Sequence, residues 1–327
     1  MTHPITRRRW LAGTALAAGA VAGRFAFAQQ GAWPARAIRL VVPSSAGGGT
    51  DILARTVGDK MAERLGQPVL VENRPGANGI IGAEAVARSP ADGYTMLVSA
   101  GNAMSANVSL YKKLSYDPLR DFTPINMLIG SPLVLVVNPQ LPVRSVAEFI
   151  EYARARPGQL NFGTGASHAQ IAGHMLLSMT GIKATPIAYK GPVQAITDVA
   201  AGQIQFTFET PSGTKAQRDS GAVRALAGTS AAPSQTLPGL PVLAQTLPGF
   251  EYNAWIGVFA PAGLAPEIRS RLESTIQAVL RLPDVQQRLT GFGFDVDPRG
   301  GEALAATVRE DIPRLRKVIQ EAGLSAE

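Results

Sequence analysis

Cysteine is absent from the 327-residue chain. That excludes disulfides, thiol nucleophiles, iron–sulfur clusters and every cysteine-ligated zinc site. Aromatic residues are scarce, at 6%, which argues against a stacking platform for nucleic-acid bases. Charged residues are sparse too, 17% against 46% hydrophobic, and a chain with that balance buries a core rather than staying disordered. No G-x-S-x-G nucleophile elbow occurs, and no tandem repeat of about 20–50 residues is visible. Histidine is rare. Beyond the N-terminal segment only His168 and His174 remain, and a six-residue spacing puts them on different faces of a helix, so they make no zinc pair. A metal site and a cofactor site are therefore not expected.

The formal charge of +7 owes most of its excess to the N-terminus. Thr6-Arg7-Arg8-Arg9-Trp10-Leu11 is a basic start with paired arginines. A mildly apolar stretch runs from Leu11 to Gly23, and Ala26-Phe27-Ala28 offers an A-x-A cleavage site. The order Thr-Arg-Arg-x-Trp-Leu resembles the twin-arginine export signal. The apolar stretch is too short for a span that needs about 20 residues. Residues 1–28 are thus expected to be a signal peptide cut after Ala28. Removal takes away Arg7, Arg8, Arg9 and Arg24 and no acid, which leaves +3 on residues 29–327. No basic cluster remains to mark a nucleic-acid face.

From Ile38 onward, β-rich runs alternate with helical patterns. Ile38–Val42 reads as a strand ending at Pro43, followed by a helix over about 50–65. Further strands are expected at 69–71, 94–98, 133–137, 184–188, 204–208, 223–227 and 255–260. Helices are expected at 80–88, 169–180, 266–280 and 301–321. Ser145-Val146-Ala147-Glu148 has capping-box spacing and opens a helix to about Arg156. Such alternation predicts an α/β fold of parallel βαβ units in two lobes. Crossings are expected near Ile129–Pro132 and Leu247–Phe250. The first lobe is then discontinuous, 29–130 with 254–327, and the second covers 131–253, with a hinge at the crossings.

Four strand-to-helix junctions are rich in small and polar residues. Pro43-Ser44-Ser45-Ala46-Gly47-Gly48-Gly49-Thr50-Asp51 is the longest. Its glycines admit a ligand to the backbone, and the first N–H groups of the following helix are free to meet a carboxylate or phosphate. A plain turn capped by Thr50 or Asp51 fits equally well. The loop is neither a Walker loop nor a dinucleotide fingerprint. Asn161-Phe162-Gly163-Thr164-Gly165-Ala166-Ser167-His168 is the counterpart in the other lobe. Ser99–Asn102 and Tyr189-Lys190-Gly191-Pro192 are the third and fourth. His168, at a loop-to-helix junction, suits binding or capping; His174 suits a packed or surface position. Glu84 and Glu209 read as isolated surface or turn acids.

Several motifs in order are similar to one family. They are Ala46–Asp51, Val71-Glu72-Asn73-Arg74-Pro75-Gly76-Ala77-Asn78-Gly79, Asp92-Gly93-Tyr94-Thr95-Met96, Tyr116-Asp117-Pro118 with Asp121-Phe122, Tyr189-Lys190-Gly191 with Asp198 and Gly202, and Trp255, Gly257 and Pro261-Ala262-Gly263. Together they resemble the substrate-binding proteins of tripartite tricarboxylate transporters, the Bug-type receptors, over residues 32–327. The resemblance implies a two-lobed periplasmic binding protein of type II-like architecture, with a ligand cleft between the lobes. It departs at Gln170 and His174, which stand where the family has His and Glu. It departs also at Ser44-Ser45, where Phe-Pro or Phe-Ala is usual, and in a second-lobe loop about two residues shorter.

The expected function is capture of a small carboxylated molecule by lobe closure and delivery to a membrane transporter, without catalysis. Expected ligand contacts are Ser44, Ser45, Gly47, Gly48, Thr50, Asp51, Asn102, Thr164, Gly165, Ser167, His168, Tyr189 and Lys190. A periplasmic monomer with transient transporter partners and no nucleic acid is expected. Two rivals stand beside it: a ligand-presenting sensor, and an exported hydrolase using Ser167 with His168, or Ser44.

Overall fold

The computed structural model describes residues 33–189, 191–321 and 323. The expected signal peptide 1–28 and Lys190 lie outside the described residues. The chain opens with β1 (Ile38–Val42), α1 (Gly49–Leu65), β2 (Val69–Asn73), α2 (Ile80–Ala87) and β3 (Thr95–Ala100). A π-helical turn (Asn102–Ala106), α3 (Asn107–Leu110) and the long β4 (Phe122–Pro132) follow. Next come β5 (Val134–Val137), α4 (Val146–Arg154), β6 (Leu160–Thr164), α5 (Ser167–Thr180), β7 (Ala184–Ala188), α6 (Pro192–Ala200), β8 (Phe206–Glu209), α7 (Pro211–Asp219) and β9 (Arg224–Gly228). The chain ends with β10 (Asn253–Pro261), α8 (Pro266–Leu280), α9 (Pro283–Gly291), β11 (Asp295–Val296) and α10 (Gly301–Glu321).

These strands form two sheets, a six-stranded one ordered β11-β4-β10-β3-β1-β2 and a five-stranded one ordered β7-β6-β8-β5-β9. Period-two burial explains why the central strands stay put. Ile38, Leu40 and Val42 enter one core and Val41 the opposite one. In the second sheet Leu133, Leu135 and Val137 face one side, Val134 and Val136 the other. Fully buried Phe206 and Phe208 each contribute about 1.5–3 kcal/mol by leaving water. At α4 the N-cap forms as expected, Ser145 Oγ accepting from Glu148 N at 3.2 Å, while Glu148 Oε2 reaches one residue past the cap and accepts from Arg144 N at 2.6 Å.

Sequence alternation predicted parallel sheets, but both sheets are mixed. β1 is parallel to β2 and β3, whereas β10 is antiparallel to β3 and β4. β6 is parallel to β7 and β8, whereas β5 is antiparallel to β8 and β9. The cause is the crossing itself. Only Leu133 separates β4 from β5, so the chain enters the second sheet from the cleft, where the helix-connected strands leave it. β10 enters the first sheet the same way. Ile129–Pro132, read as a crossing loop, is the end of β4; Phe250, read at the other crossing, is a fully buried core residue.

One hydroxyl ties the two crossings together. Thr229, fully buried, donates from Oγ1 to Tyr252 O (2.6 Å) and accepts there from Leu133 N (2.7 Å). α10 also touches both cores. Its Leu304, Val308 and Ile312 join the core of the first sheet, and Leu315, Val318 and Ile319 join that of the second. Gly257 makes room for it, because a Cβ there would meet Leu304 at 2.7 Å. Pro313 stands inside the helix between the two sets.

Candidate functional site

β1, β2 and β3 end on the same side of the first sheet, and β6, β7 and β8 end facing them from the second. Ligands in open α/β sheets bind beyond such strand ends. The loop after β1 is held from within. Asp51, 3% exposed, sits in the first turn of α1 and accepts from Gly47 N at 2.9 Å. It also accepts from Arg55 Nε (3.0 Å) and from Asn73 Nδ2 (2.9 Å). Asn73 Nδ2 reaches Ser44 O as well, at 3.1 Å. Burial, the largest influence on the Asp51 carboxyl, pushes it up, but the bonds from Arg55, Gly47 and Asn73 outweigh it and hold it below the ordinary carboxylate range. Gly47 has φ +80°, so the turn needs a glycine there.

Beside this loop the rim is strained. Ala77 and Asn78 hold φ of 45° and 51°, which non-glycine residues rarely adopt. Three asparagines sustain it. Asn78 Nδ2 donates to Asn107 Oδ1 at 2.7 Å. Asn102 Nδ2 donates to Asn78 Oδ1 (2.9 Å) and O (3.1 Å), and Asn107 Nδ2 donates to Asn78 O (3.1 Å). Asn102 opens the π-helical turn, a local irregularity frequent at functional positions.

The second-lobe loop is open by comparison. The residue before α5 is Ala166, which makes no side-chain cap, so the first N–H groups of the helix meet no capping oxygen. Gly165 lies against the fourth loop: a Cβ there would stand 2.7 Å from Gly191 O and from Pro192 Cα. Thr164 Oγ1 is spent on Ile187 O at 3.1 Å. His168 Nε2 lies 3.2 Å from Glu209 Oε2, and Thr210 N donates to Glu209 Oε1 at 2.8 Å. Glu209 is 4% exposed. Burial acts most strongly on its carboxyl and pushes it up, but His168 and Thr210 together bring it below the usual range.

Between the lobes is a cavity of about 120 Å³. Gly101 and Asn102 line it from the first sheet, Ser167 and His168 from the second, and Tyr252, Trp255 and Asp311 from β10, the crossing before it and α10. Trp255 Nε1 donates to Asp311 Oδ2 at 2.6 Å, and Arg314 pairs with the other Asp311 oxygen. Burial pushes the Tyr252 phenol up, and the Asp311 charge adds to it. No lysine or arginine lines this cavity among the described residues.

Of the residues expected from sequence, Asn102, Ser167 and His168 come together on that cavity. Ser44, Ser45, Gly47, Gly48 and Thr50 lie at the first loop, outside its lining. Asp51 is committed to shaping that loop. Tyr189 OH donates to Asp198 Oδ2 at 2.8 Å, and its phenol, through burial first and that carboxylate second, is pushed up to about 12. Glu209 corrects the sequence reading: it is a buried partner of His168, not a surface acid. Forty-one residues separate the two, so no local spacing announced the pair. Asp311 was missed for the same reason; Trp255 was legible only through the family resemblance. His174 is packed on Phe162, ring centroids 5.6 Å apart, and burial lowers its basicity. No group of three or more metal-ligating side chains occurs among the described residues, and no helix there is long and apolar enough to cross a membrane.

Two α/β sheets joined at two crossings tied by Thr229, with a cavity between their strand ends, define a two-lobed solute receptor. The chain belongs to the tripartite tricarboxylate transporter family receptors, whose family model matches residues 53–324. BugT of Bordetella pertussis is 34% identical over 93% of this chain and 94% of its own length. Among solved structures, R. palustris Rpa4515 with adipate superposes with a TM-score of 0.74 at 35% identity, covering 90% of this chain and 99% of that one. MatC from Rhodopseudomonas palustris with bound malate gives 0.71 at 31%, over 88% of this chain and all of that one, 100%. These are receptors, and the chain is not an enzyme.

Proposed function

We propose that this protein captures a small organic carboxylate between its lobes in the periplasm and hands it to a membrane transporter of the tripartite class. The observation that carries the reading is the cavity where an uncapped helix start in one lobe meets Asn102 in the other. Backbone N–H groups at helix starts stabilise an anion with partial positive charge, so no arginine clamp is needed. The adipate and malate held by the two solved relatives set the size and charge of the candidates. In this reading the first lobe comprises 29–130 with 254–327 and the second 131–253, with α10 straddling them. Ser44, Ser45, Gly48 and Thr50 approach the ligand on closure, with Gly47 shaping their turn. Residues 1–28 direct twin-arginine export and are removed after Ala28, and the receptor works as a monomer.

The test is native mass spectrometry of protein purified from the periplasm, followed by calorimetric titration with whatever co-purifies. A bound mono- or dicarboxylate, rebinding to stripped protein, is the expected result. A cationic or neutral ligand rebinding in its place overturns the carboxylate assignment.

A further inference from the structure

We propose that Asp295 is one half of a latch between the lobes: it grips a turn of the second lobe when the receptor is closed, and so sets how long a captured ligand stays. This deepens the capture reading above and rests on it. Asp295 opens β11, the edge strand of the first sheet, where it pairs with Gly130 of β4. Both its oxygens are taken by one turn that follows β9 of the second sheet. Ser234 Oγ donates to Oδ2, and Thr236 N donates to Oδ1 at 3.2 Å. Thr236 N also donates to Ser234 Oγ at 3.1 Å, so the turn presents both donors as a unit. The turn is anchored by Leu237, 2% exposed in a core of the second sheet.

The residues just before Asp295 bring this contact to the cleft. Gly293 is pressed against Ser212 at the start of α7, where a Cβ on Gly293 would stand 2.9 Å from Ser212 N. Ser212 follows closely on Glu209, the end of β8 that meets His168. The Phe294 ring lies against Gly49, the first residue of α1, where a Cβ would meet its Cζ at 3.0 Å. Segment 293–295 thus touches strand-end loops of both sheets, which part when the cleft opens. This seam differs from the other joins between the sheets. Thr229 is fully buried, and α10 packs apolar side chains into both cores. Asp295, Ser234 and Thr236 are half-buried and polar, beside a cavity of about 310 Å³ lined from both sides. Water can take over each of their bonds on opening, so the seam can part and form again.

An interaction made only in the closed state favours that state, and affinity rises with the closed population. Two hydrogen bonds to a carboxylate are worth about tenfold in that balance. The effect falls on release, since the ligand leaves only after the seam has parted. Asp295 is therefore a positioning residue: it acts on the ligand only through the lobes it holds together.

Adipate and malate serve as probes, titrated by calorimetry into the exported protein. Release is followed by tryptophan fluorescence and stability by urea melts. Asp295→Ala should bind about tenfold more weakly, mainly through faster release. A purely structural role would lower the melts and leave affinity and release as in wild type, and that result overturns the proposal while the capture reading stands. Should Asp295→Ala not fold, Ser234→Ala is read the same way. A cross-link tests the seam directly, because the chain has no cysteine of its own. A Cβ on Gly293 would stand 3.0 Å from Ser212 Cβ, near the ~3.5–4.5 Å of a disulfide. The double variant Ser212→Cys, Gly293→Cys, oxidised empty, should refuse both probes. Oxidised with a probe bound, it should retain that probe through dialysis, and reduction should restore exchange. Normal binding and release in the oxidised form overturns the proposal alone. If Gly293, at φ +78°, does not accept the cysteine, the release rate of the alanine variant decides. Failure of the wild type to bind either probe overturns the capture reading and the latch together.

Discussion

The loops at Pro43–Gly48 and Gly165–Ala166 do the same job at the ends of β1 and β6, yet they are built differently. The first is stapled by its own carboxylate. Asp51 collects Gly47 N, Arg55 and Asn73, and so holds the loop from within. The second has no cap, an alanine at the capping position, and a histidine tied to a buried glutamate beside it. A helix start that is already compensated adds little further affinity for an anion, and one that is left bare adds more. The first loop is therefore compensated from within, and in the proposed reading recognition concentrates at the second.

Substitutions can break this contrast, and the largest effect belongs to the staple. Asp51→Ala should lower the unfolding free energy by about 3 kcal/mol in urea titrations, since a buried charged acceptor with several donors is lost. The pH dependence sharpens the point. The folded Asp51 carboxyl lies below its unfolded value. Its contribution is therefore present in full above about pH 4 and lost as pH falls through the depressed folded value. Asp51→Asn should flatten that part of the acid limb.

Ser167→Ala should do the reverse. Ser167 is exposed and makes no capping bond, so melts should stay within about 0.5 kcal/mol of wild type. Affinity for a bound carboxylate should fall about tenfold, one hydrogen bond to a charged group. Equal affinity in wild type and Ser167→Ala would move recognition back to the first loop.

The smallest effects separate neighbouring glycines. Gly47 sits at φ +80° and Gly48 at φ −76°, where a Cβ meets only Ser45 O at 3.4 Å. Gly47→Ala should cost about 1 kcal/mol of stability. Gly48→Ala should leave stability unchanged and weaken binding a few-fold, because its Cβ enters the space the ligand approaches. A stability loss at Gly48 equal to that at Gly47 would show that the loop, not the ligand, needs both.

The parts of this molecule that were legible in the sequence are those written locally. β1 and α1, the Ser145 N-cap and the β7 segment follow from period-two burial, helix periodicity and caps within a few residues of each other. The loops at 43–51 and 161–168 were visible as glycine and hydroxyl clusters between such elements. β4 was hidden because Gly130-Ser131-Pro132 reads as a break, although its residues are paired with β10. Asp51 looked like a ligand contact because a carboxylate near glycines has the same local sequence whether it faces inward or outward.

Residue order alone determined a two-lobed α/β fold with loops at its strand ends, because hydrophobic period and turn chemistry act over a few residues, whereas the receptor role came from the family resemblance of its ordered motifs. Only the tertiary structure decided the strand directions, the Thr229 tie between the two crossings, the span of α10 across both cores, and the pairing of His168 with Glu209. The physical reason is that each joins residues far apart in the chain. Whether a carboxylate is a solvated surface charge or a buried, oriented partner depends on what packs around it, and its own sequence neighbours do not say.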